Sequence, residues 1–247
     1  MSLARRVGDV PLRALYTVGA VIAAVAAVVL VFMLFSGDKP RTSAQVGLVD
    51  AAGSGSPTGT PTPTPVKVPP VPTSKGFPAL PGKASVIKGS VVDEKAGITY
   101  ANLGEPWVKA SVAAFTSAQR AGGDTPPRAL IASRPLPGAV PASLTTAAQY
   151  RKLAVRVAKW TLRYQPPGTE LTWTGSQPLP GTGQLGWLLE YQLDYIVGET
   201  KHSSEAIVAV VGTAKERPGV LFATVPDSRK TLYRDLGSLL RTVRRTG

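Results

Sequence analysis

The chain has 247 residues, with 28 Lys and Arg against 15 Asp and Glu, one His and no Cys. The lack of Cys excludes disulfides, thiolate metal sites and a lipid-modified Cys anchor. The single His excludes a metal site of paired His residues, and the net charge of +13 favours an anionic neighbour such as lipid headgroups or an acidic wall polymer.

One long apolar segment begins at Leu15 and ends at Phe35, without any charged, amide or Pro residue. A helix of this length spans about 30 Å, so the segment predicts a transmembrane helix in the lipid bilayer. It is longer than the roughly 7–15 apolar residues of a cleaved signal peptide, which favours an uncleaved signal-anchor. Three Arg precede it and two basic residues follow it closely, which favours a single-pass membrane protein with residues 1–14 inside and the rest outside.

Residues 36–76 are rich in Pro, Thr, Ser and Gly. The Thr-Pro repeat at 60–65 favours extended polyproline geometry, and the segment has too few apolar residues to form a core. We therefore expect a disordered stalk, either a neutral spacer or a support for glycans. Residues 77–247 are then expected to form one extracytoplasmic domain, which carries a net charge of +9.

The first part of this domain has alternating patterns typical of strands. They predict strands at 86–92, 97–103, 112–119 and 128–133. A helix follows, which Ser143 or Thr145 can cap and a Pro pair at 166–167 ends. Its apolar residues recur at helical spacing: Ala147, Tyr150, Leu153, Val157, Trp160 and Tyr164.

The second part predicts strands at 170–174, 186–195, 205–211 and 220–224, followed by a closing helix. Pro226 lies at the start of that helix, and its last turn is predicted to hold Arg241, Arg244 and Arg245. Its apolar face consists of Leu232, Leu236, Leu239, Leu240 and Val243. This order of elements predicts an α+β fold in which two main helices pack on an antiparallel sheet, an α/β/α sandwich.

Several local features resemble the PsbP/Mog-type sandwich domains. They are the Gly-Ile-Thr-Tyr at 97–100, the Pro-Trp at 106–107, the central helix, the strand meander from Trp187 to Tyr195, and the closing strand and helix. Actinobacterial cell-envelope proteins of the LpqN lipoprotein type and alanine- and proline-rich adhesins are similar in placing such a domain behind a Pro-rich stalk. The resemblance covers about residues 86–247 and implies a non-enzymatic binding or accessory module. This chain differs from the lipoproteins in its predicted transmembrane anchor.

Catalytic candidates are few. His202 lies in a polar stretch that predicts a hairpin turn, and no nucleophile elbow accompanies it. A Ser/His/Asp triad is kept as an alternative, because the members of such a triad are adjacent in space and not in sequence. Glu190 and Asp194 are four residues apart in a strand, so they share a face and either line a site or contact solvent.

Two motif matches are interpreted as coincidences. The Gly-x-Gly-x-x-Gly at 181–186 precedes a strand, whereas dinucleotide binding needs a helix N-terminus, so we interpret it as a hairpin loop. The Ser-x-x-Lys at 85–88 lies in a predicted strand without the Lys-Thr-Gly that penicillin-binding enzymes require. We therefore predict no catalytic, cofactor or metal residues.

Two sets of side chains are candidates for binding. Trp187, Tyr191 and Tyr195 share one strand face, which is interpreted as core beneath the helix, with a ligand groove as the alternative. A basic stripe follows the outer face of the central helix, either solvated or in contact with an anionic lipid or wall polymer. Its members are Arg151, Lys152, Arg156, Lys159 and Arg163.

The sequence thus favours a membrane-tethered extracytoplasmic binding or assembly module of the cell envelope, without enzymatic activity or a cofactor. Its expected partners are the bilayer and an envelope protein or anionic wall polymer. One alternative is an envelope-directed hydrolase with an unrecognised site. Another is a domain on the inner side of the membrane that binds nucleic acid. Nucleic acid is the least favoured of the candidate partners.

Overall fold

The computed structural model describes residues 68–181 and 183–246. The predicted inner tail, the transmembrane segment and residues 36–67 of the stalk lie outside the described residues. Within the described part, no helix has the length and apolar character needed to cross a membrane.

Ten strands form two antiparallel sheets. In chain order they are β1 (Ile87–Asp93), β2 (Ile98–Leu103), β3 (Val108–Ala110), β4 (Ser117–Ala121), β5 (Ala129–Pro135), β6 (Glu170–Pro178), β7 (Gly186–Val197), β8 (Thr200–Val211), β9 (Gly219–Pro226) and β10 (Arg244–Arg245). The main sheet has the order β3-β4-β5-β9-β8-β7-β6, and the small sheet has the order β1-β2-β10.

Two helices pack on the main sheet. Helix α1 (Ala147–Thr161) continues into a 3₁₀ segment, Leu162–Tyr164, and helix α2 (Tyr233–Thr242) follows a 3₁₀ segment, Asp227–Leu232. Helix α1 contacts β7 and β8, whereas α2 contacts β2, β8 and β9. The predicted α+β fold, with two helices packed on antiparallel sheets, is confirmed.

The layers follow from the alternation of side chains along the central strands. In β8, Ala206, Val208 and Val210 belong to the core beneath α1. The intervening Ile207, Ala209 and Val211 belong to the core between the sheet, α2 and the small sheet. Because both faces are covered there, β8 is apolar at every position from Ala206 to Val211.

The N-terminal cap of α1 is Thr146, and the predicted caps, Ser143 and Thr145, are wrong. The Gln149 backbone N–H donates to the Thr146 hydroxyl (3.3 Å), and the Gln149 side-chain oxygen accepts from the Thr146 backbone N–H (3.0 Å). This reciprocal capping box needs Gln three residues after the cap, which only Thr146 provides.

Three other local predictions need correction. The strand predicted at 112–119 begins only at Ser117, and the short β3 before it was not predicted. Arg244 and Arg245 are not in the last turn of the closing helix. Val243 adopts an extended conformation, and the two Arg residues pair with β2 as a short strand.

Residues 68–85, which we call the strap, cross the β6 edge of the main sheet. Val68 and Val71 pack against the core beneath α1, whereas Phe77 and Leu80 pack against the core beneath α2. The backbone of Lys75 pairs with Ser176 of β6 through two hydrogen bonds of 2.8 Å. Nine residues of the predicted stalk, 68–76, therefore lie on the domain.

The strap is held at its C-terminal end by the carboxylate of Asp235, which is 0% exposed. The backbone N–H and hydroxyl of Ser85 donate to it at 2.6 and 2.8 Å, and the indole N–H of Trp107 donates at 2.7 Å. Ser85 thus has a structural role outside any strand, and its match to a Ser-x-x-Lys motif is a coincidence.

We expect Asp235→Ala to lower the free energy of unfolding by roughly 3 kcal/mol, since it leaves several buried donors without an acceptor. Ser85→Ala removes one donor only and should cost about 1 kcal/mol. Urea denaturation of the full chain in mild detergent, followed by Trp fluorescence, measures both. The exposed Glu199→Ala serves as control. Equal values for Asp235→Ala and Glu199→Ala would contradict the role of this carboxylate.

Candidate functional site

A cavity of about 440 Å³ lies between the strap, α2 and strands β6 and β7. Its volume is in the range of small-molecule sites, roughly 300–1,000 Å³. Its lining consists of Phe77, Pro78, Ala79, Leu80, Gln177, Pro180, Leu188, Glu190, Arg234, Gly237, Leu240 and Arg241.

The strap wall of this cavity depends on a glycine in β6. The register of β6 against β7 shifts between Trp173 and Gly175, which marks an irregularity in the strand. A Cβ at Gly175 would collide with the ring of Phe77. Only glycine therefore lets the Phe77 side chain lie against the strand and form the wall.

The polar groups of the cavity are arranged by depth. Glu190 of β7 is 1% exposed, and the hydroxyl of Thr174 donates to its Oε1 over a long 3.4 Å. Arg234 and Arg241 are exposed on α2, and because they are seven residues apart they share one helix face. The cavity thus has a carboxyl group at its floor and guanidinium groups at its rim.

A second carboxyl group lies close to the floor. Glu205 of β8 pairs with Gln192, and Glu190 pairs with Ile207, so the two Glu residues are diagonal neighbours on one sheet face. Burial, and then the charge of Glu205, raises the pKa of Glu190 to about 7. Burial, and then the charge of Asp194, raises the pKa of Glu205 to about 7.

Glu190 and Asp194, which were predicted to share a strand face, have different environments in the structure. Both lie on the α2 side of β7, but Glu190 is buried at the cavity and Asp194 is exposed, where it accepts a 2.7 Å hydrogen bond from the Gln192 amide. Glu205 was not recognised from the sequence. A signal was present, since the pairing of β7 with β8 through a two-residue turn would have placed it diagonally opposite Glu190.

The basic stripe lies on the outer side of α1. Lys152, Arg156, Lys159 and Arg163 are exposed, and we call these four residues the basic face. Arg151 differs, because it is half-buried with its guanidinium 5.6 Å from the ring centroid of Trp187. Next to the basic face, the Trp160 ring lies between the guanidinium groups of Arg163 (5.2 Å) and Arg134 (5.1 Å).

The structure buries the three aromatic side chains of β7. Trp187, Tyr191 and Tyr195 are 5%, 0% and 4% exposed, and the first two belong to the core beneath α1. The Tyr191 hydroxyl shares a 3.0 Å hydrogen bond with Thr161 of α1, and burial raises the pKa of Tyr191. These side chains join the sheet to the helix.

His202 does not lie in a turn, as was predicted, but in β8 opposite Tyr195. The turn is only two residues long because Gly198 adopts a positive φ of 62°. The Nδ1 atom of His202 lies 3.1 Å from Oδ2 of Asp227. Both side chains are about one-third exposed, at 33% and 34%.

The glycine motif at 181–186 forms the loop of the β6–β7 hairpin, as predicted. The Leu179 N–H donates to the Gly186 carbonyl at 3.2 Å, and strand β7 follows directly. A helix N-terminus, which the dinucleotide fingerprint requires, does not follow it. Among the described residues, no cluster of three or more His, Cys, Asp or Glu could hold a metal ion.

Comparison with known proteins finds likeness among solved structures. No protein-family model and no curated protein matches the chain. The chain is similar to the solution structure of cyanobacterial PsbP (CyanoP) from Synechocystis sp. PCC 6803, with a TM-score of 0.43 and 15% identity. The match covers 64% of this chain and 91% of that chain.

The raised pKa values of the two Glu residues predict a pH-dependent stability. A carboxyl group whose pKa rises from 4.5 to about 7 on folding binds its proton more tightly in the folded state. Its contribution to stability is therefore present at low pH, falls as the pH rises from about 4.5 to about 7, and stays low above that range. We expect Glu190→Gln to abolish this decrease in the free energy of unfolding, which is on the order of 2 kcal/mol for Glu190.

Urea denaturation of the full chain across this pH range measures the difference between the variant and the wild type. Glu199→Gln, an exposed turn position, is the matched control and should keep the wild-type slope. If Glu190→Gln also keeps that slope, Glu190 is not the group whose protonation stabilises the fold.

Proposed function

We propose that the protein is a membrane-tethered extracytoplasmic binding module of the cell envelope, without enzymatic activity, that docks on an anionic lipid or wall polymer through the basic face of α1. The observation that carries this proposal is the charge of α1. The helix contains four basic residues and no Asp or Glu. The sequence from Leu15 to Phe35 supports the tether, and the Lys/Arg bias around it supports the external position of the domain.

The basic face is unfavourable for the isolated domain. Lys152 and Arg156, and likewise Lys159 and Arg163, are four residues apart on the helical segment, where like charges destabilise by about 0.2–0.5 kcal/mol per pair. Among the described residues, the Arg120–Asp124 ion pair and the contact of His202 with Asp227 both lie outside α1. An anionic surface would relieve this repulsion and attract each cation by roughly 1 kcal/mol.

A hydrolase is the second candidate, and the pairing of His202 with Asp227 favours it. A carboxylate that accepts from Nδ1 orients the other imidazole nitrogen for use as a general base. The partial exposure of both side chains weighs against this role, because a catalytic base works best in a site that excludes water. Hydrolysis of envelope lipids or wall polymers that is lost in His202→Ala would favour this candidate over a binding module.

Protease shaving of intact cells tests the position of the domain. We expect proteinase K to release peptides from residues 68–246 before the membrane is broken, with a known cytoplasmic protein left intact as control. Mass spectrometry identifies the fragments. If these peptides appear only after lysis, the domain lies inside the membrane and the envelope role is wrong.

Binding to a polyanion tests the basic face. The probe is soluble polyglycerol phosphate, added to the full chain in neutral nanodiscs, with a second series in nanodiscs that contain anionic lipid. We expect replacement of Lys152, Arg156, Lys159 and Arg163 by Gln to weaken polymer binding at least about tenfold, because four attractive charges are removed. Added salt should weaken the wild type more than this variant.

The matched control replaces four exposed Lys residues elsewhere by Gln and therefore has the same net charge. These residues are Lys83, Lys201, Lys215 and Lys230. An equal loss of binding in both variants would show that net charge alone, and not the basic face, attracts the polymer. Protection of α1 from hydrogen exchange only in the anionic nanodiscs would identify lipid as the partner.

A further inference from the structure

The cavity floor presents the carboxyl group of Glu190, and the carboxyl group of Glu205 lies on the same sheet face outside the lining. Glu190 is almost completely buried, and its one hydrogen bond among the described residues is the long contact from Thr174. The Oε2 atom of Glu205 is buried without any hydrogen-bond partner in the described part of the chain. Neither residue belongs to an ion pair there. A buried carboxylate in this state lacks the donors that would stabilise its charge.

A compact cation with several hydrogen-bond donors would satisfy the carboxylate at the floor of the cavity. A primary ammonium has three N–H donors on a single atom, so it can bind the Glu190 carboxylate from within the cavity. The rim presents the opposite charge. The guanidinium groups of Arg234 and Arg241 match a carboxylate, which they can bind through paired hydrogen bonds.

Apolar side chains line the space between floor and rim. Phe77 and Leu80 of the strap lie on one side, and Leu188 of β7 and Leu240 of α2 lie on the others. From this arrangement we infer that the cavity binds a zwitterion of the ω-amino acid type, with its ammonium at Glu190, an apolar chain in the middle and its carboxylate at Arg234 and Arg241. The inference concerns a different surface from the basic face and does not rest on the envelope role.

The charges around Glu190 determine how such binding depends on pH. They are the carboxyl groups of Glu205 and, further along the strands, Asp194, and the guanidinium groups of Arg234 and Arg241 on α2. An ammonium at the floor favours the ionised form of Glu190 and therefore displaces its proton. Affinity for the zwitterion should rise as the pH rises through the range in which Glu190 ionises. A ligand that has a carboxylate and no ammonium should show the opposite trend.

Isothermal titration calorimetry on the full chain in neutral nanodiscs tests the inference. The probes are 5-aminopentanoate, 6-aminohexanoate and 8-aminooctanoate, with hexanoate and hexylamine as compounds that each lack one charge. We expect binding by at least one ω-amino acid, with an affinity at least tenfold above that of either single-charge compound. The heat in buffers of different ionisation enthalpy should report release of a proton.

Variants assign the two ends of the ligand. Glu190→Gln should weaken binding at least tenfold and abolish proton release, and Arg234→Gln with Arg241→Gln should reduce the preference for ω-amino acids over hexylamine. Glu199→Gln and the pair Lys201→Gln and Lys215→Gln are exposed controls that should bind like the wild type. Circular dichroism checks the fold of each variant, and the pH trend of the wild type is a readout that needs no variant.

Three outcomes would overturn the inference. One is the absence of binding by all three ω-amino acids at millimolar concentration. Another is equal binding of hexanoate, which would make the cavity a site for anions at the Arg residues alone. The third is tighter binding at low pH. Each of these leaves the polymer binding of the basic face unaffected, so failure here is distinguishable from failure of the proposed function.

Discussion

The buried carboxylate of Asp235 joins three parts of the chain that are distant in sequence. It accepts hydrogen bonds from Ser85 at the end of the strap and from Trp107 in the loop before β3, and it belongs to α2 itself. One group therefore joins α2 to the C-terminal end of the strap and to the loop before β3. The cavity lies between these two elements, so its shape depends on a hydrogen-bond cluster that is not part of its lining.

The two faces of the main sheet have different surfaces. Helix α1 and its 3₁₀ extension cover one face with apolar side chains inward and the four cations of the basic face outward, without an acidic residue to balance them. Helix α2 covers the other face together with the small sheet, and the strap closes it around a carboxyl group at the cavity. The basic face and the cavity, which presents both charges, are thus separated by the sheet. Binding at one does not require the ligand of the other.

Most of the strands and both helices could be predicted from the sequence because alternation and helical spacing are local patterns. Features that depend on distant partners could not be predicted. The strap is one, because Pro69 and Pro72 offer only backbone carbonyls, which accept from Trp173 and Ser176 of β6. The position of Glu205 diagonally opposite Glu190 follows only from the register of β7 against β8. The cap at Thr146, by contrast, was within reach of the sequence, because the Thr-x-x-Gln spacing to Gln149 distinguishes it from Ser143 and Thr145.

The course of the strap also has a mechanical consequence. Its contacts follow one another along the chain: Pro69 with Trp173, Pro72 with Ser176, Lys75 with Ser176, and only at the end Ser85 with Asp235. Tension applied through the residues before Val68 would break these contacts one after another, from the N-terminal end of the strap, rather than all together. The wall formed by residues 77–80 would lift while both sheets and the Asp235 cluster still held. Tension on Val68 would thus open the cavity well before it unfolded the domain.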